Sequence, residues 1–321
     1  MRGSTGLSTP RTTLFTACRR VLLMVMLLSL AACGRASAPP ASPGDAGLMV
    51  VAAEPFLADI AQNVAGSRAV VATLMPAGVD PHAYEPTPGD LARVADSDVL
   101  ILNGAGLEES LLEMLRNAGG ERLVIEACAG LASRAVPEAN TSSEHQEGDP
   151  HFWLDPNHVI HYVENIRAGL SEADPAGAAT YAANAQQYVA RLSELDRWIA
   201  EQVAAIPADR RLLVTNHESF GYFADRYGFR VVGTIIPGVS TGAAPSARQL
   251  AELVDAVKAA GVRAVFLETG SNPQLAQQLA REAGIRVVTQ LYTHSPAADG
   301  PAAGYLGMME YNTRAIVDAL Q

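Results

Sequence analysis

Residues 174–206, DPAGAATYAANAQQYVARLSELDRWIAEQVAAI, separate two similar halves of the chain. Nearly every residue in this segment favours a helix. Apolar side chains recur at spacings of three and four, the pattern of an amphipathic helix: Tyr181, Ala185, Tyr188, Leu192, Leu195, Ile199 and Val203. At about 1.5 Å per residue the segment would extend on the order of 50 Å as one rod. A helix of this length between two domains restricts their relative motion.

Short apolar runs alternate with helical patterns on both sides of the segment. Such runs, bounded by helices, predict the buried strands of parallel sheets. They are Leu48–Ala53, Ala69–Leu74, Val99–Asn103 and Leu123–Ala127 in the first half, and Arg211–Thr215, Arg230–Ile236, Ala264–Glu268 and Arg286–Tyr292 in the second. We therefore predict an α/β fold of two four-stranded α/β lobes, residues 48–173 and 207–321, joined by a long rigid helix over residues 174–206.

The N-terminus predicts export and a lipid anchor. Arg11, Arg19 and Arg20 precede the apolar run Val21 to Ala32, which is too short to span a bilayer and has the layout of a secretion signal. The run ends in LAACG, which resembles a bacterial lipobox, with cleavage before Cys33 and lipid on that cysteine. An ordinary signal peptide cut elsewhere is the alternative. We predict a lipoprotein signal peptide over residues 1–32 and a flexible Ala/Pro/Ser/Gly-rich tether over residues 33–47.

The charge balance excludes some partners. Loss of residues 1–32 removes four arginines and no acids, so the mature chain has 19 basic and 34 acidic residues, a net charge of −15. An acidic surface argues against binding nucleic acid or anionic lipid directly, and it suits a cation ligand. With Cys33 lipidated, Cys128 is the one cysteine left, so no intramolecular disulfide can form.

Four of the seven histidines follow predicted strands, two in each half: His82, His151, His217 and His294. In open α/β sheets, ligands bind beyond the carboxyl ends of the strands, where two lobes can present side chains jointly. Four imidazoles would make a closed tetrahedral site for a borderline-soft divalent ion, with zinc the first candidate. We therefore predict a metal site in the cleft between the lobes.

The segments around these histidines resemble the zinc-uptake and TroA-like cluster of bacterial ABC-transporter solute-binding proteins for zinc and manganese. The resemblance covers most of the mature chain in the right order. The matching segments are GVDPHAYEPTP (78–88), NGAGLE (103–108), PHFWLDP (150–156), TNHESFGYF (215–223), VFLETGSNP (265–273) and residues 291–312 with the tail YLGMMEYN.

The resemblance implies that His82, His151 and His217 bind metal. Manganese-selective members carry a glutamate at the position of His217, and imidazole there favours zinc over the harder manganese. Members of the family typically have an aspartate where this chain has His294. The fourth ligand is therefore His294, water or Asp299, and we favour His294 because imidazole is a good zinc ligand.

Four further residues have side chains that could bind or orient a metal ion. Glu268 ends a predicted strand at the same crevice, where it would orient a ligand imidazole or be a solvated acid. His158 and His161 are three apart on a predicted helix, but nothing supplies further ligands on that face, so we expect a helix-surface role. His145, in an acidic loop, is a weak accessory capture site or, as we favour, a plain solvated residue.

The resemblance implies a zinc-binding subunit, lipid-anchored through Cys33 on the extracytoplasmic face of the membrane, that serves an ABC permease and its cytoplasmic ATPase. We expect a monomer that is not an enzyme and that carries Zn²⁺ as cargo. Manganese or another divalent ion is the main alternative. A zinc hydrolase is disfavoured because no HExxH motif is present and no nucleophile lies in a suitable context. An adhesin is the third alternative, and the sequence has no patch that identifies one.

Overall fold

The first lobe is built on one parallel sheet. A computed structural model describes residues 47–135 and 148–321, together with Met1 and Gly3. The strands of this sheet lie in the order β2-β1-β3-β4, and every pair is parallel. Their bounds are β1 Met49–Ala52, β2 Val70–Thr73, β3 Val99–Leu102 and β4 Leu123–Glu126. The four strands expected for this lobe are present, each slightly shorter than predicted.

Helices connect these strands. The first, α1, spans Pro55–Ala65, and its apolar face is buried in the core. The second, α2, spans Pro88–Ala95 and begins with a capping box in which Thr87 and Asp90 bond each other's backbone N–H groups. The third, α3, spans Glu109–Asn117, and α4 spans Pro156–Ala173 after an N-cap by the Asp155 side chain. These connections place the loops that follow β2 and β3 at the same edge of the sheet.

The second lobe also has four strands, but they form two hydrogen-bonded parallel pairs, β5 with β6 and β7 with β8, instead of the expected four-stranded sheet. Both pairs contain a shift in register, between Leu213 and Val214 of β5 and between Phe266 and Glu268 of β7, which interrupts regular pairing. The strands are β5 Leu212–Thr215, β6 Arg230–Thr234, β7 Ala264–Glu268 and β8 Arg286–Leu291, and the helices are α6 Gly221–Tyr227, α7 Ala247–Ala260, α8 Pro273–Ala283 and α9 Gly304–Leu320.

The linking segment forms helix α5, Ala178–Ala204, after a short 3₁₀ turn at Pro175–Gly177. Its 27 residues correspond to about 40 Å, shorter than expected because the first turn is not α-helical. Every residue of the predicted apolar stripe is buried. One core cluster includes this stripe together with Phe56 and Ile101 of the first lobe and Phe220 and Phe266 of the second. The two lobes therefore share a core.

Helix α9 adds a second connection between the lobes. The backbone N–H of Tyr305 donates to Asp59 on α1 at 2.8 Å, and the Tyr305 hydroxyl donates to the carbonyl of Trp153 at 2.7 Å. The C-terminal helix therefore returns to the first lobe, which resists wide opening of the cleft.

Several expectations fall on residues outside this description: the signal peptide over 1–32, lipidation of Cys33, most of the tether over 33–47, and His145. These expectations and the domain boundaries drawn from the sequence stay predictions. Among the described residues, no helix has the length and apolar character needed to cross a bilayer.

Candidate metal centre

The four predicted histidines meet in the cleft. His82 lies in a 3₁₀ turn, Pro81–Ala83, after β2, and His151 caps the 3₁₀ turn Phe152–Leu154 before α4. His217 follows β5, and His294 follows β8. One ring nitrogen from each of the four lies within 4.8 Å of the others. Each lobe thus contributes two imidazoles to a single cluster.

The spacing of the nitrogens suits a tetrahedral ion. The Nε2 atom of His151 lies 3.4 Å from that of His82 and 3.2 Å from that of His217. Zinc bonds nitrogen at about 2.0–2.1 Å, which sets the edge of a tetrahedron at about 3.3–3.4 Å. These two distances match that edge, and the remaining pairs of ligand nitrogens lie within 4.8 Å, so the four rings are close enough to bind one ion.

Two carboxylates orient the rings from behind. Nδ1 of His151 lies 2.9 Å from Oδ1 of Asp149, and Nδ1 of His217 lies 2.7 Å from Oε1 of Glu268. The Asp149 carboxylate accepts the Nδ1 proton of His151 and so fixes the tautomer whose Nε2 presents a lone pair, and the charge of Glu268 favours the same tautomer of His217. The Nε2 atoms of His151 and His217 then face each other at 3.2 Å, where either a shared proton or a bound cation offsets the repulsion between their lone pairs.

Glu268 contacts both histidines of the second lobe. Its carboxylate accepts a hydrogen bond from Thr293 at 2.6 Å, and its Oε2 lies 3.7 Å from Nδ1 of His294. Burial alone would raise the pKa of Glu268, but attraction to His217, with its hydrogen bond, lowers it to about 2. Burial lowers the pKa of His217, but attraction to the Glu268 carboxylate raises it by more. The pKa of His217 is therefore raised overall. The sequence placed Glu268 at this crevice but could not identify which imidazoles it contacts.

His294 has the geometry of a ligand. The residue is 9% exposed, and its Nε2 is buried with no hydrogen-bond partner among the residues that the structure describes. Burial lowers the pKa of His294 to about 4, so its imidazole is neutral at pH 7 and has a free lone pair. Asp299, the alternative fourth ligand, is exposed and is not in the cluster.

A network of charged and polar side chains, which the sequence did not predict, lies behind His151. Arg134 pairs with Asp149 at 3.3 Å and with Asp225 on α6 at 2.6 Å. The Tyr222 hydroxyl, also on α6, donates to the Asp149 carbonyl at 2.7 Å. A Cβ atom at Gly221 would collide with the Arg134 guanidinium, so only glycine leaves room for this pair. Asp149, two residues before His151, was the one part of this network that the sequence could have indicated. Nothing in the sequence pairs Arg134 with residues of the second lobe.

The two helical histidines stay apart from the cluster. His158 packs its ring against Phe152 and Tyr222, and Nε2 of His161 lies 2.6 Å from the carbonyl oxygen of Ala129. Within residues 47–135 and 148–321, the four-histidine cluster is the only group of three or more potential metal ligands.

The fold and this cluster define a class: a two-lobe α/β solute-binding protein whose cleft suits a single cation. The chain belongs to the zinc-uptake complex component A family of periplasmic proteins, whose family model matches residues 50–319. It is a substrate-binding protein of a metal ABC transporter.

The relatives of this chain have names that specify different metals. It is 35% identical to the manganese-binding lipoprotein MntA of Halalkalibacterium halodurans, over 94% of this chain and 98% of MntA. It is 31% identical to the zinc-binding protein TroA of Treponema pallidum, over 85% of this chain and 88% of TroA. Among solved structures, the manganese-bound periplasmic metal-binding protein of Candidatus Liberibacter asiaticus has a TM-score of 0.76 at 26% identity, covering 85% of this chain and 100% of that one.

Proposed function

We propose that this protein captures zinc outside the cytoplasmic membrane and delivers it to an ABC permease driven by a cytoplasmic ATPase. One observation carries the proposal: four imidazole nitrogens, two from each lobe, lie within 4.8 Å of one another. We assign His82, His151, His217 and His294 as the ligands. Asp149 and Glu268 lie against the Nδ1 atoms of His151 and His217, so their carboxylates orient these two rings for metal binding.

The choice of zinc follows from the donor atoms. Imidazole nitrogen suits zinc, whereas manganese prefers carboxylate, carbonyl and water oxygens. The carboxylates of Asp149 and Glu268 face the Nδ1 atoms of His151 and His217, so these oxygens contact the imidazoles and are not available as metal ligands. Manganese is the second candidate, because relatives such as MntA are named as manganese-binding proteins.

We further propose that the mature chain begins at Cys33 and acts as a lipid-anchored monomer on the extracytoplasmic face. Residues 33–47 would form the tether, and residues 48–173 and 207–321 the two lobes. Several relatives are named lipoproteins, which supports the anchor. A tether of this length lets the protein reach its permease while staying on the same membrane.

Metal analysis and competition titration test the proposal. We expect protein purified without added metal to carry one zinc per chain, and apo protein to prefer zinc strongly when manganese competes. His82→Ala, His151→Ala and His217→Ala should each weaken zinc binding strongly, because each removes one of four ligands. His161→Ala, whose imidazole contacts the Ala129 carbonyl away from the cluster, is the matched control and should bind like the wild type.

Two outcomes would contradict the proposal. A preference for manganese in the competition titration would show that manganese, and not zinc, is the metal that this protein captures. Near wild-type zinc affinity in any of the three variants would remove that histidine from the ligand set.

A further inference from the structure

A cavity of about 350 Å³ adjoins the histidine cluster on one side. Loops from both lobes line it, including residues 78–80 of the first lobe and Thr241 and residues 269–272 of the second. His294 lines this cavity, and the other three histidines do not. An ion that crosses the cavity therefore meets His294 before it meets the rest of the cluster.

A hydrogen bond between the lobes lies beside this cavity. The Asp80 carboxylate accepts from the backbone N–H of His82 at 3.0 Å through one oxygen, and from the Thr241 hydroxyl through the other. Thr241 belongs to residues 235–246, which connect β6 to α7 with neither helix nor strand. Asp80 thus joins the turn that carries one ligand to an irregular segment of the opposite lobe.

A second contact between the lobes lies at the same cavity. A Cβ atom at Gly270 would lie 3.2 Å from the carbonyl oxygen of Gly78, so the two loops are nearly in contact. Both glycines have positive φ, +81° at Gly78 and +83° at Gly270, a region that other residues avoid. The loops can separate here without breaking the shared core, because no residue of that core belongs to them.

From this geometry we propose that metal enters and leaves through the cavity beside His294, and that the Asp80–Thr241 hydrogen bond limits the rate of exchange. The inference rests on the proposed function. Asp80 and Glu268 give the cavity a negative wall that favours a cation. A hydrogen bond to a carboxylate contributes enough stability that its loss changes an equilibrium or rate roughly 10- to 100-fold.

Zinc exchange in Thr241 variants tests this role. Asp80 itself is unsuitable, because its other oxygen holds the turn that carries His82. Thr241→Val keeps the side-chain shape and removes the donor, whereas Thr241→Ser keeps the donor. Zinc release is followed after mixing with excess EDTA. We expect release from Thr241→Val to be about tenfold faster or more, and release from Thr241→Ser to stay within about twofold of the wild type.

A matched control separates loss of the hydrogen bond from a change in cavity polarity. Thr269 lines the same cavity from the second lobe and does not donate to Asp80. Thr269→Val should release zinc at the wild-type rate. Equal acceleration in Thr269→Val, or an unchanged rate in Thr241→Val, would overturn the role of the hydrogen bond.

The route is tested by filling the cavity. Ser271 lines the cavity and is not one of the proposed ligands. Ser271→Trp should slow zinc association and dissociation by the same factor and leave the dissociation constant unchanged, since it obstructs a passage without altering the ligands. Unchanged rates in both directions would overturn the route. Failure of wild-type protein to bind zinc at all would instead overturn the proposed function, so the two failures are distinguishable.

Discussion

Glu268→Gln isolates the charge that lies behind the second lobe's imidazoles. Glutamine has nearly the size of glutamate and keeps an oxygen that can accept the Nδ1 proton of His217, now at 2.7 Å from the carboxylate. The substitution therefore preserves the tautomer and removes the negative charge. Any effect on metal binding or stability then reports the charge itself.

Two magnitudes follow. Loss of a carboxylate that orients a metal-bound histidine typically weakens metal binding 10- to 100-fold, about 1.4–2.7 kcal/mol. In the apo protein, the pKa of Glu268 falls from its ordinary 4.5 to about 2. Because the folded pKa is lowered, the stabilisation is present above pH 4.5 and is lost as the pH falls toward 2. Its upper limit is about 3 kcal/mol, at about 1.36 kcal/mol per pH unit.

Zinc titration and urea unfolding at several pH values measure both effects. The raised pKa of His217 arises from the same attraction to Glu268, so it adds nothing further to the free energy of unfolding. Apo Glu268→Gln should unfold with up to about 3 kcal/mol less free energy at pH 7, and the difference should shrink as the pH falls below 4.5. Glu252→Gln, which breaks an exposed pair with Arg248, is the control. Zinc affinity within twofold of wild type, with an unchanged pH profile of stability, would refute the reasoning.

Three substitutions elsewhere give further tests. His294→Asp should keep zinc binding and shift relative preference toward manganese, because a carboxylate oxygen replaces imidazole; competition titration measures this, and an unchanged preference would count against a fourth imidazole ligand. Arg134→Gln should weaken zinc binding by about tenfold, because it removes the partner of the Asp149 carboxylate that orients His151. Calorimetry measures the affinity. Arg68→Gln, which breaks a surface ion pair, is the control and should bind zinc like the wild type. Burial beside Glu108 raises the pKa of Glu54, so native Glu54 stays protonated where the unfolded chain ionises, and stability falls as pH rises above 4.5. Glu54→Gln should reduce this fall between pH 5 and 8 in urea unfolding, and an equal fall would contradict the assignment.

The positions of the strands, the linking helix and the clustering of the four histidines could be predicted from the sequence. Hydrophobic runs located all eight strands to within two residues at each end, and the spacing of three and four found the buried face of α5. The histidines were found because parallel strands end at a common edge, so position along the chain predicts position in space.

Contacts between the lobes could not be predicted from sequence. Arg134 meets Asp225 across 91 residues of chain, and Asp80 meets Thr241 across 161. These partners follow from how the lobes pack, and neither residue type nor spacing reports that packing. For the same reason, the hydrophobic pattern did not predict that the second lobe's strands form two separate pairs.

Zinc K-edge X-ray absorption of the loaded protein tests the four-histidine site most directly. The shape of the scattering from imidazole rings reports how many histidines bind the ion, and the first shell gives the bond lengths. We predict four nitrogen ligands at about 2.0–2.1 Å, with ring scattering that corresponds to four imidazoles. A first shell of three imidazoles with one oxygen, from water or a carboxylate, would contradict the assignment of His294.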